Sequence, residues 1–271
     1  MRLTRREAKY LRSLQQKKVR QHERKFVLEG WRAVAEALHA AAAVEYVAVA
    51  GGDHAEGHAE VLSGFRSRGV PVREADAALL ELASGTVQTQ GVLALVAQQR
   101  WSVEEVLRPE ASLVVALDGV ADPGNLGTLL RSAEASGARG MVIGAGTVDA
   151  YNPKVVRASA GAIFGVPLVV ASDAEGWSVT DALDELRSSG RTVFGTRAIG
   201  GARPDAVDLS TPVAVLLGNE AHGLVDEVDG HVDGWISVPM AGSAESLNVA
   251  MAGTVVCFEA ARQRAVAAGG R

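Results

Sequence analysis

Residues Ala111 to Ala138 read ASLVVALDGVADPGNLGTLLRSAEASGA. Leu113 to Leu117 is an unbroken aliphatic run without polar alternation, the pattern of a strand buried on both faces. The loop ADPGNLG follows, and TLLRSAEASGA then has helical character closed by Gly137. Strand, polar loop at its carboxyl end, and helix form one unit of a parallel sheet. Further along, the alternation continues: MVIGAG as strand, NPKVVRASAGAIF as helix, PLVVAS as strand, TDALDELRSSG as helix, RTVFGTRA and TPVAVLLGNE as strands. WISVPM is a short strand, and a long helix closes the chain. This half is expected to be α/β, a mostly parallel sheet with helices on both faces.

The N-terminal half is different in scale. KFVLEGWRAVAEALHAA reads as strand then helix, VEYVAVAG as strand, Glu56 to Arg68 as helix, and SGTVQTQGVLALVAQQ as a strand pair or bent strand. A smaller α/β domain over residues 1–100 follows. A linker at 101–111, rich in charge and containing Pro109, leads into the larger domain at 112–271.

Hydrophobic residues make up 48% of the 271 and charged residues 22%, a globular balance. The single cysteine, Cys257, excludes an internal disulfide and a multi-cysteine zinc site, and its apolar helix suggests a buried, inert thiol. No apolar run is long enough for a membrane span, and the basic N-terminus has no signal-peptide core, so a cytoplasmic location is expected. The net charge of −5 is uneven. Met1 to Lys25 holds ten Lys/Arg against two Glu, while the rest carries 17 basic and 30 acidic residues. Such a segment is either a solvated terminal helix or a phosphate-neutralising surface.

Three buried strands end in Gly-containing polar loops: LDGVADPGNLGTLLR, LLGNEAHGL and VPMAGSAESLNVA. Ligands of open α/β sheets bind outside such strand ends. Asn125 either stabilises its turn or, with Arg131, clamps a phosphate at the helix start. Glu220 either caps a turn or orients a partner. Ser246 and Asn248 either cap the last helix or face a ligand. His222 reads as a solvent-facing loop residue. His54 and His58 have metal-ligand spacing, but the surrounding glycines and the lack of a third ligand argue against a metal. Neither a dinucleotide fingerprint, nor a G-x-x-x-x-G-K-[ST] loop, nor a G-x-S-x-G elbow occurs.

Taken together and in order, DPGNLGTLLR, GNEAHGL and PMAGSAESLNVA resemble the three motifs of the SpoU (TrmH-like) RNA ribose methyltransferases of the SPOUT class. The resemblance spans about Ser112 to Gln263 and includes NPKVVRASAGAIFGVP. More loosely, EGWRAVAEAL and TQGVLALVAQ resemble the RNA-binding extension of that family. The resemblance implies a deep trefoil knot in the C-terminal domain, a homodimer, and S-adenosyl-L-methionine as cofactor. It implies methyl transfer to a ribose 2′-hydroxyl of RNA, with 23S rRNA favoured and tRNA as the alternative. It places Asn125, Arg131, Glu220, Ser246 and Asn248 at catalytic positions. Gly195, Thr196, Leu217, Gly218, Val238, Met240 and Leu247 fall at the cofactor. An antibiotic-resistance role is open within the ribosomal methyltransferase branch, and a non-catalytic RNA-binding assembly factor and a nucleotide-dependent oxidoreductase are the rival classes.

Overall fold

The computed structural model describes residues 2–52, 56–84, 89–99, 101–108, 113–171 and 176–269. These fall into two units, one of Met1–Gln99 with Asp149–Phe164, the other of Arg100–Val148 with Gly165–Arg271. Elements are numbered along the chain.

The first unit holds α1 (Arg5–Ser13), α2 (Lys17–Glu23), β1 (Lys25–Glu29), α3 (Trp31–His39), β2 (Val44–Ala50), α4 (Glu56–Ser67), β3 (Val72–Ala75), α5 (Ala77–Ala83) and β4 (Val92–Ala97). Its sheet runs β1-β4-β2-β3, with β4 antiparallel to both neighbours and β2 parallel to β3. The basic N-terminal segment is built into this unit. Thr4 and Glu7 form a capping box that starts α1, and Leu3, Ala8, Leu11 and Leu14 are buried against sheet residues such as Leu93 and Leu95. The lysines and arginines of α1 and α2 are exposed, with one exception. Arg20 is only 2% exposed; its Nε and Nη2 reach Asp149 Oδ2 at 3.1 and 2.6 Å, and Nη1 donates to the carbonyls of Leu14 and Gln15.

Asp149 belongs to the excursion that joins this unit. There Tyr151 packs its ring 4.9 Å from Phe26, and the helix expected for NPKVVRASAGAIF breaks early. It forms as α8 (Pro153–Ser159), ends where Ala160 and Gly161 take φ of 48° and 96°, and resumes as a 3-10 turn at Ala162–Phe164. Gly161 is required, since a Cβ would lie 2.7 Å from Glu36 Cβ. In the expected strand pair only β4 is seen; residues 85–88, where the first arm falls, lie outside the described residues, as does His54. His58 stacks on Trp31 at 3.9 Å between centroids.

The second unit opens with α6 (Val103–Leu107), a short capped helix inside the expected linker, started by a Ser102–Glu105 capping box. It continues with β5 (Leu113–Leu117), α7 (Pro123–Ala135), β6 (Gly140–Ile143), β7 (Leu168–Val170), α9 (Val179–Ser188), β8 (Thr192–Thr196), β9 (Val213–Leu217), β10 (Gly234–Ile236) and α10 (Val249–Ala267). The six strands run β10-β8-β9-β5-β6-β7 and every pairing is parallel. β5 and β9 are buried at every position, as strands covered on both faces must be. α9 packs over Val114, Ala116, Ala214 and Leu216. On the opposite face α7 and α10 meet, so closely at Gly253 that a Cβ would come within 2.7 Å of both Leu129 and Leu217. Ser132 and Thr254 share a 2.7 Å hydroxyl bond across this helix pair, and Cys257 is buried, its thiol pushed up to about 11 by desolvation. Chain order reverses between β5 and β9, which puts a topological switch point at their carboxyl ends.

Candidate functional site

At that switch point the first and second loops are tied together. Asp118 N donates to Leu217 O at 2.9 Å, extending the β5–β9 ladder by one bond. Asp122 caps α7 by accepting from Asn125 N at 3.0 Å, with Pro123 in the first turn. Asn219 folds the second loop: its Oδ1 accepts from the backbone of Ala221 and His222 at 2.8 and 3.1 Å. Its Nδ2 donates to Gly119 O of the first loop at 2.8 Å. Sequence reading passed over Asn219, although an Asn two and three residues ahead of such N–H groups is an Asx-turn signal.

Glu220 is thereby carried to the start of α7. Its carboxylate accepts from Ala121 N and Asp122 N, both at 3.2 Å, and from Asn125 Nδ2 at 2.8 Å. Burial opposes its ionisation, but the bonds from Asn125 and the backbone outweigh this and hold the carboxyl below the ordinary glutamate value. The third loop joins through Asn248, whose Nδ2 donates to Asn125 Oδ1 at 2.9 Å. The same Asn248 caps α10, with Oδ1 accepting from Ala250 N at 2.9 Å and Met251 N at 3.3 Å. Capping occupies the oxygen, so the amide nitrogen faces Asn125, and Asn125 in turn must present its own nitrogen to Glu220. One polarised chain, Asn248 to Asn125 to Glu220, results.

A cavity of about 1090 Å³ opens beside this chain. Of the residues expected at a cofactor, Thr196, Leu217, Gly218, Val238, Met240 and Leu247 line it, together with Glu220 and Ser246. Gly218 admits no side chain, because a Cβ would sit 2.5 Å from the carbonyl of Gly223; the wall there is bare backbone. Gly195 stands apart. It is buried in β8, and its missing Cβ makes room for the Trp235 ring, 2.6 Å from where that atom would lie. Ser246 is exposed in the cavity wall but lies two residues before the Asn248 cap and makes none of the cap bonds, so the helix start belongs to Asn248 alone. Arg131 is exposed on α7, outside the cavity wall and the hydrogen-bond chain. His222 is exposed and lines the cavity. Among the described residues no cluster of three or more His, Cys, Asp or Glu could hold a metal.

A cavity of this size, with bare main chain at Gly218 and Glu220 in its wall, can hold a small-molecule ligand beside the amide chain. Comparison with known proteins accords with this. Residues 6–94 match the MRM3-like substrate binding domain, and residues 112–258 match the SpoU rRNA Methylase family. The 23S rRNA (guanosine-2′-O-)-methyltransferase RlmB of Xanthomonas axonopodis pv. citri is 36% identical over 76% of this chain and 83% of its own length. The SpoU methyltransferase AviRb from Streptomyces viridochromogenes, solved with AdoMet, superposes with a TM-score of 0.81 at 30% identity, covering 96% of this chain and 98% of AviRb. An AdoMet-bound rRNA methyltransferase from Sinorhizobium meliloti gives 0.80 at 30% identity, with 94% of each chain covered. With more than half its length inside the family match and the three motif loops gathered at one site, this chain is a member of the SpoU rRNA methylase family.

Proposed function

We propose that this protein transfers a methyl group from S-adenosyl-L-methionine to a ribose 2′-hydroxyl of 23S ribosomal RNA. The observation that carries the reading is the Asn248–Asn125–Glu220 chain at the rim of a cavity walled by Leu217, Gly218, Val238 and Leu247. The relatives named above are 23S rRNA 2′-O-methyltransferases or were solved with AdoMet, which supports both substrate and cofactor.

In this reading the cofactor supplies an electrophilic sulfonium methyl, and the protein's task is alignment. The residues fit: bare backbone at Gly218 permits close approach, Val238, Met240 and Leu247 supply apolar contact, and Thr196 lines the wall with its hydroxyl donating to Leu216 O. Glu220, fully engaged by three donors and held ionised, anchors Asn125 and the α7 start. Asn125, Asn248 and Ser246 shape the approach of the ribose. Arginine does not deprotonate in proteins, so Arg131 acts as a cation that meets the neighbouring RNA phosphate and steadies the developing oxyanion. The first unit carries the RNA, with the exposed cations of α1 and α2 facing phosphates. The second unit contains a deep trefoil knot, and the enzyme works as a homodimer. Exposed Met251, Val255, Phe258 and Val266 on α10 support a second copy against that helix. Action on ribosomal RNA accords with a cytoplasmic location.

Transfer of labelled methyl from S-adenosyl-L-methionine into 23S rRNA, with ribose mapping, is the test. Wild type should modify one ribose, and Asn125→Ala should bind cofactor normally while losing about 100-fold in transfer rate, the cost of a misplaced reacting group. Absence of ribose methylation by the wild type overturns the reading.

A further inference from the structure

Part of the cavity wall, at Arg197 to Gly201 and Arg203, lies outside the three motif loops. After β8 the chain runs through Arg197 to Ala202, and this stretch is pinned along β10. Arg197 N donates to Ile236 O at 3.0 Å, Ser237 Oγ donates to Arg197 O at 2.9 Å, and Gly201 N donates to Ser237 Oγ at 2.8 Å. Ala202 N closes the shelf on Trp235 O at 2.8 Å. The approach is tight enough that a Cβ on Gly201 would lie 2.6 Å from the carbonyl carbon of Ile236.

On this shelf the Arg197 guanidinium lies 4.9 Å from the Trp235 ring centroid, and Nη2 donates to Gly200 O at 2.6 Å. Both residues line the cavity, and Gly195 gives the ring its place. The other arginine in the wall, Arg203, is neutralised by a bidentate pair with Asp205 at 2.9 Å. The wall also holds Glu220, Asp226, Asp229 and Glu245. An anionic ligand group entering a cavity with that many carboxylates needs a cation. Among the described residues Arg197 has no carboxylate partner, and its aromatic and carbonyl contacts fix it in advance.

Resting on the cofactor assignment above, we infer that Arg197 receives the α-carboxylate of S-adenosyl-L-methionine and so selects the amino-acid end of the cofactor. A planar guanidinium matches a carboxylate with two parallel hydrogen bonds. The Trp235 ring and the Gly200 carbonyl place the guanidinium, and the carbonyl takes one of its five N–H donors.

The test compares dissociation constants, by calorimetry without RNA, for S-adenosyl-L-methionine and its decarboxylated analogue, which lacks only that group. Wild type should prefer the intact cofactor by about tenfold, the scale of one charge-assisted pair. Arg197→Gln should abolish the preference while binding the decarboxylated analogue within about twofold of wild type. Arg197→Lys should recover only part of it, because the ammonium lacks the fork. Equal weakening of both ligands in Arg197→Gln assigns Arg197 a structural role and overturns the proposal. An unchanged preference, with a smaller salt dependence of RNA affinity, moves the residue to an RNA phosphate and overturns it equally. If wild type binds neither ligand, the cofactor assignment itself falls.

Discussion

Glu220 shows how a single carboxylate is made structural. Two backbone donors and the Asn125 amide hold it ionised, so its contribution to stability has a definite pH window. Because its folded value lies below the ordinary glutamate value of 4.5, the contribution is complete above that value and is lost as pH falls through the lower folded one. Glu220→Gln should therefore flatten the acid limb of a denaturation series at and below the ordinary glutamate value. A variant whose acid limb matches wild type would refute the anchoring role. The sequence made Asn125, Glu220 and Asn248 visible because polar residues stood at the ends of apolar strands. It could not show that they join, since the partners lie 95 and 123 positions apart. Arg197 and Trp235 escaped for a related reason: their contact depends on β10 pairing with β8, which no local pattern announces. Gly195, expected at a cofactor, also gives room to the Trp235 indole, a contact that its sequence context does not announce.

At the scale of elements, α10 separates two duties of one residue. Asn248→Ser keeps a capping oxygen but removes the donor to Asn125. Stability should stay within about 0.5 kcal/mol, since Ser and Asn cap comparably, while methyl transfer falls; thermal melts and labelled-methyl assays read the two separately. Loss of both together would mean that the cap alone positions the site. The basic N-terminal helices require a similarly selective change. With Leu3, Leu11 and Leu14 in the core, removing the segment would unfold its unit. Replacing exposed Lys17 and Lys18 by Gln leaves that core intact. For two lost phosphate contacts the log–log salt slope of RNA binding should shrink by about 1.4 to 1.8, with cofactor affinity unchanged. Charge counting revealed the basic segment; only burial distinguished Arg20, a cation turned inward, from its neighbours on the surface.

For the whole molecule, the all-parallel sheet was legible because continuous apolar strands alternated with helices, and the switch point follows from strand order. The proposed homodimer takes its support from what α10 leaves uncovered. Phe258 is 49% exposed and Met251 60%, on a helix whose other side is packed. Phe258→Glu should yield a folded monomer by sedimentation velocity, since a buried unpaired charge costs several kcal/mol at an apolar contact. A variant that sediments as wild type would overturn α10 as the seam of the proposed dimer.

The excursion from Asp149 to Phe164 has a consequence for anyone dissecting the gene. The polypeptide enters the first unit, departs, and comes back, so no single scissile point separates the two halves. A fragment ending at Gln99 would strand the Arg20 guanidinium without Asp149 and strip Tyr151 from Phe26. Losing one partner of a buried ion pair costs about 3–5 kcal/mol, a large part of what a small domain possesses. An excised N-terminal piece should accordingly emerge insoluble or protease-sensitive, and rescue should come from grafting residues 149–164 back onto it rather than from lengthening its tail.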